Sequence, residues 1–121
     1  TYDGTVTAAS DWDGPAERKR IRPALEGSYE AELHEVGTPR FLVLPDAAGR
    51  LPSTLRKERL ERAIGVVYRP ETERVSHWFH ARMAEQFDAV LHVDRTRAVE
   101  PLERDSALRG PDLPETYPSA V

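Results

Sequence analysis

Polar and apolar positions alternate in the first residues of the chain. From Tyr2 to Ala9, Thr5 and Thr7 fall on one face and Val6 and Ala8 on the other, the period of two that marks a strand. The next stretch, SDWDGPAERKRIRPALEG, has no such period, and Gly14-Pro15, Pro23 and Gly27 make it a long irregular loop. Ser28 then stands where an N-cap is wanted, Tyr29, Leu33 and Val36 recur at helical spacing, and Gly37 ends the helix. Phe41 to Leu44 reads as a short apolar strand and Pro45 to Pro52 as a turn region. Ser53 caps a second helix predicted over Thr54 to Arg62, with a charged, exposed face. Ile64 to Tyr68 is predicted as a buried strand stopped by Pro70, and Ala89 to Val93 as another that runs into Asp94. Beyond Glu103 the pattern stops at Gly110, Pro111, Pro114 and Pro118, so residues 104–121 are predicted as an irregular tail outside a folded part over 1–103.

Strand and helix alternate in that order, which predicts an α/β layer: a mainly parallel sheet with flanking helices. Because the chain opens at Thr1 already inside a strand, the expectation is that it forms the C-terminal part of a larger α/β domain.

Composition narrows the chemistry. The chain has 121 residues, enough for one domain, with 39 % hydrophobic and 31 % charged positions, so its core is modest. A net charge of −4 offers no electrostatic case for nucleic acid. The one basic cluster, Arg18-Lys19-Arg20-Ile21-Arg22, follows Asp11, Asp13 and Glu17 and reads as a solvated loop. The absence of cysteine excludes a disulfide scaffold, a thiolate zinc site and a thiol nucleophile, and fits a cytoplasmic protein. No apolar run approaches the roughly 18 residues that span a membrane, and no secretory leader is visible.

Candidate chemistry concentrates between Arg62 and Leu102. His77 and His80 stand three apart; on a helix they would share a face and could bind one metal ion, although such a pair is more often cleft wall or packing. In a strand, His92 and Asp94 point to one face, the arrangement of a carboxylate-oriented general base or of a structural histidine at a sheet edge. Arg69 and Glu71 flank Pro70 after a buried strand, where the guanidinium could hold a carboxylate or sugar oxygens, or belong to a surface ion-pair network. Trp12 between Asp11 and Asp13 could line a ligand cleft. No glycine-rich phosphate loop or G-x-S-x-G elbow occurs.

Several segments, in order, resemble the erythromycin esterase family: Gly4 to Trp12 with Asp13-Gly14-Pro15, Arg22-Pro23-Ala24 through Gly27-Ser28-Tyr29-Glu30, Ile64 to Glu73, Ser76 to Phe79, Gln86 to Val90, Ala98 to Leu102 and Glu115 to Ser119. The resemblance implies a hydrolase that opens the lactone ester of macrolides, or a relative acting on another small-molecule ester or lactone. It implies water activated by histidine, without metal or other cofactor, and with Glu and Arg in the cleft. The family's Gly-Glu-x-x-His and His-Asn-x-His segments do not occur here, so the resemblance assigns no catalytic residue to this chain and puts the base upstream of Thr1. It matches Thr5, Trp12, Arg69, Glu71 and His77 as substrate-binding cleft wall, and leaves His80 and His92 at variable positions. No nucleic acid or membrane partner is expected. The alternative is a stand-alone, non-catalytic binding or interaction domain of α/β type.

Overall fold

The computed structural model describes residues 1–100. The expected tail over 104–121 lies outside the described residues.

Strand β1 (Asp3–Ala8) is central to the largest sheet. It runs antiparallel to β2 (Glu17–Ile21), with Gly4 opposite Ile21 and Ala8 opposite Glu17, and parallel to the short β7 (Arg95–Thr96) on its other side. The alternation read from the sequence is the one the sheet uses. Val6 and Ala8 face a small core with Ile21, Ile64 and the fully buried Tyr68. Thr5 and Thr7 face outward, where Thr5 Oγ1 accepts from the Ala98 amide at 2.9 Å and Thr7 Oγ1 donates to the Val99 carbonyl at 2.6 Å.

A second core forms around helix α1 (Tyr29–His34). Ser28 Oγ accepts from the Ala31 amide at 3.2 Å, the N-cap bond its side chain is suited to make. Tyr29 and Leu33 go inward against Leu51, Leu55, Ala81 and Met83. The Tyr29 hydroxyl sits 2.6 Å from the Lys57 carbonyl and 3.0 Å from that of Ala81, and accepts the Met83 amide at 3.0 Å, so this fully buried phenol is satisfied. Two antiparallel ribbons complete the fold. One pairs β3 (Arg40–Val43) with β6 (Val90–Val93); the other pairs β4 (Arg59–Arg62) with β5 (Trp78–Ala81). Three four-residue helical turns, α2 (Ser53–Arg56), α3 (Glu73–Ser76) and α4 (Met83–Gln86), connect them.

The expected mainly parallel sheet with flanking helices is therefore wrong. Among the described residues the strands form three small sheets, and the single parallel ladder, β1 with β7, covers two residue pairs. A parallel crossover needs a dozen or more residues, commonly a helix, whereas α1, the longest helix described, has six. Three local readings explain the error. The helix expected over 54–62 stops at Arg56, because Arg59–Arg62 is drawn into pairing with Trp78–Ala81 and Arg62 is buried against Glu73. The loop expected after Ser10 contains β2, whose charged sequence hid the inward Ile21. Ile64 to Tyr68 makes only an isolated bridge, Ala9 with Val67, and Val66 is exposed. Val36, predicted on the buried face of α1, falls beyond the helix end and is exposed as well.

Candidate functional site

Two polar assemblies lie at the seams between these units. In the first, Arg62 and Glu73 are both buried, with side chains 2 % and 1 % exposed, and Arg62 Nη1 lies 2.9 Å from Glu73 Oε1. The other carboxylate oxygen accepts the Tyr68 hydroxyl at 2.5 Å. The Arg62 Nη atoms also donate to the carbonyls of Arg22 (2.6 Å), Thr1 (2.7 Å) and Tyr2 (2.9 Å), and the guanidinium stacks over Trp78 with 5.1 Å to the ring centroid. A fork of fixed donors is what lets one guanidinium tie the first two residues to the chain just after β2. Burial, aided by the bond to Glu73, pushes the Tyr68 hydroxyl up to about 12. Burial alone would raise Glu73, but Tyr68 and Arg62 outweigh it and hold the carboxyl below its ordinary range. Both groups keep their charge state near neutrality, so this assembly fixes structure rather than moving protons.

The second assembly is better suited to proton transfer. Asp94, just past β6, holds two imidazoles on one oxygen: His34 Nδ1 at 2.7 Å and His92 Nε2 at 3.2 Å from Oδ1. His34 ends α1, stacks on Tyr2 with ring centroids 3.7 Å apart, and is about a third exposed. His92 is buried beside Phe41. Burial lowers the His92 imidazole, against the raising effect of Asp94. Burial would raise Asp94, but its bonds to His34 and His92 keep it ionised below the ordinary carboxylate range. A carboxylate that engages Nδ1 of this partly exposed histidine leaves Nε2 as the nitrogen free to accept a proton, the orientation of a general base.

The five residues expected to line a cleft fall in separate places. Arg69 donates through Nε to the Ser10 carbonyl at 2.6 Å and pairs with Asp11, which brings it to the loop that carries the exposed Trp12. Glu71 and Pro70 line an open cleft of about 500 Å³ along β2, between Lys19 and Pro23. Thr5 lies on the outer face of the large sheet, bonded to the Ala98 amide. His77 closes α3, bonds the Ala63 carbonyl at 3.0 Å through Nδ1 and packs against Tyr68. Trp12, Arg69 and Glu71 thus share one side of the molecule, near β2, while Thr5 and His77 are engaged elsewhere. The helical His77–His80 pair does not form, because His77 ends a helical turn and His80 lies on β5 beside Glu58. Among the described residues no three His, Cys, Asp or Glu side chains are arranged to hold a metal ion.

Sequence reasoning anticipated the His92–Asp94 pairing but missed His34, which stands 60 residues from Asp94. It also missed the Arg62–Glu73–Tyr68 tie. The available signal was weak: a histidine in the last turn of an amphipathic helix, and a strand ending in an acid.

The family model described as erythromycin esterase matches residues 1–96. The chain belongs to the erythromycin esterase family. No solved structure matches it. Membership makes it part of a hydrolase family with small-molecule substrates, and both polar assemblies lie within the matched residues of this erythromycin esterase family chain. Among the described residues, no helix is long and apolar enough to cross a membrane.

Proposed function

We propose that this chain forms part of a carboxylic-ester hydrolase that opens an ester or lactone by histidine-activated water, with the principal base supplied by polypeptide outside these 121 residues. The match over residues 1–96 carries the reading. Its support in the geometry is the side of the molecule where Pro70 stiffens the turn between Arg69 and Glu71, next to the loop of Trp12. There an aromatic surface can cover an apolar substrate ring and Glu71 can accept hydrogen bonds from its hydroxyls. Thr5 and His77, which bond the Ala98 amide and the Ala63 carbonyl, are given no part in that wall. The reaction is attack of water on the ester carbonyl, collapse of the tetrahedral intermediate, and release of acid and alcohol. A macrolide lactone is the first substrate to test, and freedom from cysteine favours a cytoplasmic setting.

A second reading is favoured by one observation. His34, oriented by Asp94 at 2.7 Å, is a base built entirely within the chain. Mass spectrometry of the ring-opened acid separates the two. On the first reading the isolated chain leaves the lactone intact. On the second it hydrolyses it, and His34→Gln abolishes the activity. The non-catalytic alternative is met by a chain that neither binds nor opens any ester or lactone.

A further inference from the structure

The outer face of the largest sheet gathers positive charge in a way the hydrolase reading does not use. Arg18 and Arg20 stand opposite Thr7 and Thr5 in the β1–β2 register, so all four side chains rise from one face. From the other side of β1, the parallel strand β7 and the residue after it bring Arg95 and Arg97. The result is a cleft of about 310 Å³ lined by Arg18, Arg20, Arg95, Arg97, Thr5 and Asp3. Arg18 and Arg97 also line the adjoining cleft of about 480 Å³, together with Thr7, Val99 and the carboxylates Glu17 and Glu100.

The acidic groups at this face are largely committed. Asp3 pairs with Arg95 at 3.1 Å. Glu17 pairs with Lys19 at 3.5 Å and accepts from the Ser10 hydroxyl. Arg18, Arg20 and Arg97 have no hydrogen-bond or ion-pair partner among the described residues. Like charges gathered without counter-charge repel one another, and an anion between them removes that penalty. Three unneutralised guanidiniums suit a group with two or three negative charges and several acceptor oxygens better than a single carboxylate, since each planar fork can take two oxygens.

We propose that this cleft binds the phosphate of a small soluble phosphate ester or diphosphate, with Arg18, Arg20 and Arg97 on the phosphate oxygens and the adjoining cleft taking the uncharged body. Arg20 borders both this cleft and the Glu71 cleft, but none of Trp12, Arg69 and Glu71 lines this one, and the proposal stands whether or not the hydrolase reading holds.

Titration of the full chain with inorganic pyrophosphate at constant ionic strength, followed by amide NMR, tests it. The expected result is saturable shifts at Thr5, Arg18, Arg20 and Thr96, with acetate producing none. The double variant Arg18→Gln, Arg20→Gln weakens binding by about tenfold or more, the effect of losing charge-assisted hydrogen bonds. Lys19→Gln, on the other face of β2, leaves it unchanged. A melting curve confirms that each variant is folded, and the shift map of the unsubstituted chain needs no variant at all. Shifts that do not saturate, equal effects of acetate, or binding confined to vesicles of anionic lipid would overturn the proposal.

Discussion

The Tyr68 hydroxyl lies 2.5 Å from Glu73 Oε2, and the other oxygen of that carboxylate lies 2.9 Å from the buried Arg62 guanidinium. One carboxylate thus satisfies a phenol and a cation that have no access to water. Glu73→Gln leaves Arg62 buried without a counter-charge, an error that costs about 3–5 kcal/mol. Tyr68→Phe removes one hydrogen bond and is expected to cost less, about 1–3 kcal/mol. Urea denaturation measures both. Equal losses, or two variants as stable as the parent, would contradict the assignment.

The Asp94 carboxylate can only accept, so each imidazole that bonds it does so through a protonated nitrogen. Neutral His34 is therefore expected as the Nδ1–H tautomer and His92 as the Nε2–H tautomer. Imidazole nitrogen chemical shifts distinguish the two forms directly. In Asp94→Asn the preference at His34 weakens. Finding His34 chiefly as the Nε2–H form in the unsubstituted chain would rule out its orientation by Asp94.

Stability is expected to fall as the pH drops below about 6.5, where unfolded histidine begins to protonate. His92 is held neutral chiefly by burial, so its folded-state pKa lies below the unfolded one. The unfolded chain then binds more protons, and acid favours it. Asp94, also lowered, adds a further loss in the carboxylate range. Glu61 works the other way there, because burial and the nearby Glu30 raise it. The N-terminal amine, lowered by burial from its ordinary 8.0, adds a loss that begins at higher pH, so the His92 share is read as the difference between parent and variant from pH 7 to about 5. Melting midpoints across that range should decline more steeply in the parent than in His92→Gln, and parallel curves would be the contrary result.

Gly4 has φ of 127° and meets the backbone of Thr96 at the β1–β7 ladder, where an added methyl would overlap the Thr96 carbonyl oxygen. Gly4→Ala should cost about 1–3 kcal/mol in backbone strain alone. Hydrogen exchange should then report loss of protection at Asp3 and Thr96 before β2 is affected.

Much of the local structure was legible. Thr5, Val6, Thr7 and Ala8 announced the two faces of β1, and Ser28 with Tyr29 and Leu33 announced the cap and inward face of α1. What failed was pairing. Arg59–Arg62 carries helix-forming residues, and only its partner 16 or more residues away makes it a strand. Arg18 to Arg22 looked like a solvated loop because most of its side chains are charged, yet Ile21 anchors the strand at 1 % exposure. In the candidate site, local spacing revealed His92 with Asp94, whereas His34 and the Arg62–Glu73 tie depend on contacts that no local window contains.

The most direct test of the hydrolase reading is an amide NMR titration of the full chain with a macrolide lactone, with ring opening followed in the same tube by mass spectrometry. The expected result is saturable shifts at Trp12, Arg69 and Glu71, loss of those shifts in Arg69→Gln, and no ring-opened acid. Shifts confined to His34, His92 and Asp94 together with ring opening, or no shifts at all, would contradict it.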